Sequence, residues 1–182
     1  MNRRQLLRLP AVGALFMLLG AHTPYGQWVV YRRKHLLIGC HRGDPRTYAL
    51  AGRVVGLLDD HLPEASARVA RAPDARRIAS LIGTDQMEVA VLGHADATAM
   101  VQGSGGFAPY GEVPLRLLAP VGDRLLLASA DFPDRHARLV TGALLGTELA
   151  PQPVAWDDRV LRWHPGSAAF AERRPMPPDP AG

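Results

Sequence analysis

Between Arg8 and Arg32 no side chain carries a formal charge, and this stretch decides what the start of the chain can be. Those 23 residues exceed the roughly 20 that an apolar helix needs to cross a bilayer. Trp28 and Tyr31 stand at its far end, where amphipathic rings favour a membrane–water interface. Pro10, Pro24, Gly13, Gly20 and Gly26 weaken such a helix, and its second half is only mildly apolar. The basic start Asn2-Arg3-Arg4-Gln5-Leu6-Leu7-Arg8, followed by the apolar run Leu9 to Ala21, has the build of an export signal. Leu19-Gly20-Ala21 is a weak cleavage site. A retained N-terminal hydrophobic helix is therefore expected over 1–34, with the following domain on the periplasmic side of the bacterial inner membrane. Cleavage would instead release that domain to the periplasm.

Arg3 and Arg4, with two leucines after one spacer, resemble the twin-arginine translocation motif. Leu6 stands where that motif prefers Phe, and Asn2 where it prefers Ser or Thr, so the general secretory route stays equally open. The formal charge of +4 is carried mostly by arginine, clustered at 3–8, 32–46 and 173–174. Charge flanking a hydrophobic stretch argues for a membrane role and against a nucleic-acid partner. Cys40 is the only cysteine, which excludes an internal disulfide and a cysteine metal cluster. Leu37-Ile38-Gly39-Cys40 matches a lipobox, yet Arg32-Arg33-Lys34-His35 separates it from the hydrophobic run, so a buried strand ending in Cys40 is expected.

From Leu36 onward strand and helix patterns alternate. Leu36 to Cys40 reads as a strand; Leu50, Val54, Leu57, Leu58 and Leu62 then recur at helical spacing, from Thr47 to a stop at Pro63. Ala67 to Arg71 reads as a second strand. Pro73-Asp74 opens a helix with Ile78, Leu81 and Ile82 inward, closed near Gly83, and Met87 to Leu92 is a third strand. A short helix over 96–101 precedes a Gly103-Ser104-Gly105-Gly106 surface loop. Strands over 113–119 and 124–129 flank a turn at Pro120 to Asp123, and Phe132-Pro133-Asp134 starts a helix with Ala137, Val140, Leu144 and Leu145 inward. Residues 151–163 read as extended, Ser167 to about Arg173 as a short helix, and the proline-rich end over 174–182 as a disordered tail. Such alternation predicts an α/β domain over 35–173, a mixed or parallel sheet covered by helices on both faces.

Seven histidines raise the question of metal or catalytic chemistry. His94 and Asp96 follow a strand's C-terminal end, where open α/β sheets place ligands, and His41 and Asp74 follow two other strands. The four could form a small polar site, and a hydrolase using His94 and Asp96 is one reading, but no His-x-His or His-Glu-x-x-His spacing supports it, and patternless histidines are more often surface residues. Ser104 lacks the Gly-x-Ser-x-Gly order of a nucleophile elbow, and the glycines around it lack the Lys-Ser/Thr of a phosphate loop. The expectation is a protein without catalytic residues, cofactor or metal.

The strand, the glycine-containing loop and Thr47-Tyr48-Ala49-Leu50 at a helix start resemble the TAXI class of TRAP-transporter solute receptors. The run from Arg77 to Leu92 is similar to that family's unit of helix, small turn, acidic residue and apolar strand. Val113 to Ala119 resembles its next strand, and His164-Pro165-Gly166-Ser167 with Glu172 its closing His-Pro-Gly-Ala segment. In pieces, the resemblance covers most of 36–173. It implies a single compact lobe like that of a periplasmic binding protein, with ligand positions at Thr47, Tyr48, Asp74, His94 and Asp96. A full receptor has two lobes; here Arg124 to Leu145 resembles the late strand and helix, reached without a second lobe. The turn Ala72-Pro73-Asp74-Ala75 also lacks the family's ligand-contacting residues. The implied function is non-enzymatic: binding a small anionic solute or a protein partner, with a permease as one candidate. The alternative is an accessory or assembly subunit for an exported redox enzyme.

Overall fold

The computed structural model describes residues 34–145, 147 and 158–172. The chain divides into two units, Met1–Lys34 and His35–Gly182, and every strand and helix described below belongs to the second. The expected hydrophobic helix, Arg3, Arg4, the stretch over 151–157 and the tail lie outside the described residues. Among the described residues, no helix is long and apolar enough to cross a membrane.

His35–Gly182 is an α/β domain. In chain order its elements are β1 (Leu37–His41), α1 (Pro45–His61), a 3-10 turn (Pro63–Ala65), β2 (Arg68–Ala72), α2 (Ala75–Gly83), β3 (Val89–Leu92) and α3 (His94–Val101). A second 3-10 helix (Gly105–Tyr110), β4 (Leu115–Val121), β5 (Arg124–Ser129), α4 (Asp134–Leu145) and α5 (Pro165–Ala171) complete it. The five strands form one mixed sheet in the order β2-β1-β3-β5-β4. β1 runs parallel to β2 and β3, whereas β5 is antiparallel to both of its neighbours, β3 and β4. β5 is thus the one reversed strand, inserted into an otherwise parallel set.

Both faces of the sheet are covered, and for that reason the central strands are apolar without alternation: all four residues of β3 are buried. On one face α1 and α4 pack over Ile38, Cys40, Val89, Val91, Leu118 and Leu126. On the other, α2, α3 and the second 3-10 helix pack over Ala90, Leu92, Leu115, Leu117, Leu125 and Leu127. α1 buries Thr47, Ala51, Val54 and Leu58, spaced by four, three and four along one stripe. Asp44 caps its start, Pro45 occupies its first turn, and the chain leaves it at Leu62 ahead of Pro63.

Several boundaries differ from expectation. Asp44 starts α1 ahead of Thr47, and α3 begins at His94 instead of Asp96. β3 begins at Val89 instead of Met87. β4 runs on through Pro120 and Val121, so the turn shrinks to Gly122 and Asp123, with Gly122 at φ +58. Proline is tolerated there because β4 is an outer strand, and Pro120 sits opposite Leu125 on its inner neighbour. A bulge between Leu117 and Ala119 lets Leu118 and Ala119 both face the α1/α4 side. The Gly103–Gly106 stretch is an ordered turn: Gly103 at φ +57 lies so near Gly111 that a Cβ would come within 2.7 Å of that residue's backbone carbon.

α5 starts at Pro165 rather than Ser167, because His164 is its cap. The strand-like pairing before it is short: Leu117 N–H donates to the Arg162 carbonyl at 2.8 Å, and His164 N–H to the Leu117 carbonyl at 2.8 Å. These bonds cover part of the outer edge of β4, which would otherwise present unpaired backbone groups.

Candidate functional site

Strand order creates a switch point. β1 connects outward to β2 through α1, and the chain then crosses back through α2 to β3 on the other side of β1. At the carboxyl ends of β1 and β3 the following loops therefore diverge, and open α/β sheets bind ligands in that crevice. The loop from β1 supplies His41 to Asp44 and the start of α1; that from β3 supplies Gly93 and the start of α3. β5 begins at this same edge because it is antiparallel, and so brings Arg124 there.

Arg124 organises the crevice. Its guanidinium donates to the Asp123 carboxylate at 2.8 Å and carbonyl at 3.1 Å, and to the Asp44 carboxylate at 3.3 Å. Asp123 also pairs with Arg46 at 2.9 Å, but that pair is largely solvated and worth little. The Arg124 side chain lies 3.9 Å from where a Cβ on Gly93 would stand, beside the start of α3. Its Nε is buried and has no hydrogen-bond partner.

Asp44 links this arginine to α1. One carboxylate oxygen accepts from the N–H groups of Arg46 and Thr47, at 2.9 Å and 3.4 Å. Burial by itself would raise the Asp44 carboxyl, but those N–H groups and the Arg124 guanidinium outweigh it and hold the pKa below 3.8. α3 is built differently. Gly93 gives it no side-chain cap, so its first N–H groups and the adjacent guanidinium offer positive potential, offset in part by the Asp96 carboxylate in the same turn.

The residues singled out from sequence divide accordingly. Thr47 is buried, and its hydroxyl is turned inward to the carbonyls of His41 and Asp44, at 3.2 Å and 3.0 Å. Tyr48 is exposed, with the Arg71 guanidinium over its ring at 5.4 Å. Asp74 caps α2 by accepting from Arg77 N–H at 2.8 Å. His94 opens α3, and its Nε2 is buried without a partner, while Asp96 lies in the same first turn. Asp74→Ala is thus expected to remove a cap, lowering stability by about 1 kcal/mol in a denaturant titration.

The His41, Asp74, His94 and Asp96 set gains no support as a metal centre. Among the described residues, no three His, Cys, Asp or Glu side chains converge on a place for a metal ion. Cys40 is fully buried in β1, and burial pushes its thiol up against the opposing charge of Arg71, which makes it a poor nucleophile.

Two concavities lie away from this crevice. One of about 420 Å³ is lined by His61, Leu62, Arg138, Leu139, Gly142, Ala143, Thr147 and Phe170. Another of about 270 Å³ lies at the opposite sheet edge, between the start of β3 and the end of β5, among Asp85, Met87, Glu88, Ser129, Asp131 and Phe132.

Sequence reasoning missed Arg124, Asp123 and Asp44. A Gly-Asp-Arg run ahead of an apolar strand reads as an ordinary surface turn, and only the strand order moves it to the switch point. No protein-family model matches the chain, and no curated protein matches it.

Proposed function

We propose that this domain is a one-lobe relative of the TAXI class of TRAP-transporter solute receptors, which binds a small anionic solute at the carboxyl edge of its sheet without catalysing a reaction. The observation that carries the proposal is the partly exposed Arg124 side chain beside the uncapped start of α3. A carboxylate placed there gains the attraction of the guanidinium charge and the field of the helix terminus together. Asp44 and Asp123 already balance Arg124 and Arg46, so the affinity is expected to be weak.

The β4–β5 hairpin supports the likeness to one lobe of a larger receptor. Both strands meet the carboxyl edge, and only Gly122 and Asp123 join them. Closely spaced chain ends at an exposed turn are where a second lobe can be inserted without disturbing the sheet. On this reading the domain is held at the periplasmic side of the inner membrane by residues 1–34, with a permease as partner. The alternative, an accessory or assembly subunit of an exported redox enzyme, rests on Arg3 and Arg4, outside the described residues, and on the absence of the family's ligand-contacting residues from Ala72-Pro73-Asp74-Ala75.

Thermal unfolding with added dicarboxylates and amino acids tests the proposal. A solute at 100 times its Kd stabilises by about 2.7 kcal/mol, so Tm is expected to rise by roughly 5–10 °C at saturating millimolar concentration. Unchanged Tm across the whole set at about 10 mM, roughly 100 times a weak Kd of about 0.1 mM, would sink the solute reading.

A further inference from the structure

His164 has 0% exposure, and it joins three elements. Its Nδ1 accepts from Gly166 N–H at 3.3 Å and so caps α5. The same nitrogen lies 3.5 Å from the Asp134 carboxylate at the start of α4. These partners make opposite demands. Capping Gly166 requires a lone pair on Nδ1, whereas bonding to Asp134 requires a proton there. Further along α5, Ser167 forms a buried hydroxyl pair with Thr141 of α4 at 2.7 Å. The Thr141 hydroxyl donates to the Leu118 carbonyl at 3.1 Å, so it accepts from Ser167. Phe132 presents an edge contact to the His164 ring at 6.1 Å.

We propose that His164 is a proton-operated latch: the neutral ring caps α5 and holds it on α4, and protonation of Nδ1 transfers that nitrogen to Asp134, uncaps α5 and loosens it. The proton comes from solvent and ends on Nδ1; no covalent bond other than that N–H forms. Burial opposes the charged ring most, and Arg116 of β4 adds to that, while Asp134 of α4 and the Phe132 backbone favour it; the balance lies below 6.5. His136 of α4 shares only the Phe132 ring, at 5.9 Å. A depressed folded pKa means that the neutral ring's stabilisation is complete above 6.5 and is lost as the pH falls through the folded value. α5 also carries Phe170, whose ring lies 3.0 Å from where a Cβ on Gly142 would stand, so the latch governs one wall of the 420 Å³ concavity.

Amide hydrogen exchange on the full chain between about pH 7.5 and 5 tests this, after correction for intrinsic exchange. Protection in α5 relative to α2 is expected to fall by up to about tenfold per pH unit below 6.5, the slope of one linked proton. In His164→Asn, which keeps a capping oxygen, that slope should vanish. Asp134→Asn should leave the onset in place and extend the loss to lower pH, because Asp134 favours the docked imidazolium. Equal slopes for α5 and α2, or a slope that survives in His164→Asn, overturns the latch. Should that variant not fold, the wild-type His164 ring decides by NMR: a midpoint at the ordinary value of 6.5 overturns the proposal, and a lower midpoint accompanying the loss of protection upholds it.

Discussion

Gly166→Ala is expected to lower Tm by roughly 6–12 °C, far more than the same change at Gly39. A Cβ on Gly166 would overlap the Asp134 carbonyl oxygen and stand 2.7 Å from its carbon and 3.0 Å from its Cα. All three are backbone atoms at the start of α4 and cannot turn aside. Relief requires α5 to lift, which breaks the His164 cap and separates the buried Ser167–Thr141 pair. Overpacking costs about 1–3 kcal/mol, and a buried hydroxyl left without its partner about 1–3 kcal/mol more. A combined loss of about 3 kcal/mol, at about 2–4 °C per kcal/mol for a chain of this size, gives that shift. At Gly39 the new Cβ would meet the Met87 sulfur and, at 3.3 Å, the Ala90 Cβ. A thioether side chain can rotate away, so the cost there is about 1 kcal/mol. Calorimetry of both variants checks the contrast; equal shifts would show that α5 yields as readily as a methionine.

That contrast also marks what was legible in the sequence. α1 and α2 could be read because each lays a helical stripe on the core: Val54 and Leu58 in one, Ile78 and Ile82 in the other. Their caps, Asp44 and Asp74, are local features as well, although the expected start at Thr47 overlooked the first. β3 and β5 were legible as apolar runs because both sheet faces are covered. What could not be read were relations between segments distant in sequence. Nothing local in Arg124 to Ser129 says that this strand reverses and slots between β3 and β4. Hence the site built on Arg124 was invisible, while Thr47 and Asp74, conspicuous for standing after strands, serve the starts of helices. His164-Pro165-Gly166-Ser167 stands out only by resemblance; its role follows from Asp134 and Thr141, brought near by α4.

Arg124→Gln is expected to weaken solute binding about 10- to 100-fold while leaving the fold intact, and this variant separates the site from its scaffold. Removing the guanidinium takes away a charge-assisted donor, worth about 1.5–3 kcal/mol, or about 10- to 100-fold in Kd. A Kd of about 0.1 mM becomes about 1–10 mM, and the Tm rise at about 10 mM solute shrinks from roughly 5–10 °C to roughly 1–6 °C. The fold persists because Asp44 keeps the N–H groups of Arg46 and Thr47, and α1 stays capped. Stability should still drop by about 1–2 kcal/mol at neutral pH, since the Asp44–Arg124 pair is mostly shielded, at 27% and 20% side-chain exposure. The pH dependence identifies the cause. Asp44 has a lowered folded pKa, so its contribution is present above 3.8 and is lost as the pH falls through the folded value. Without Arg124 one of the influences lowering that pKa is gone, and the difference between wild type and variant should close as the pH drops below 3.8. Arg46→Gln is the control: its side chain is 72% exposed, and its loss should change stability by less than about 0.5 kcal/mol. If Arg124→Gln binds the solute as wild type does, the crevice is not the site. If its Tm response shrinks while that of Arg46→Gln does not, the switch point and its Arg124 guanidinium carry recognition.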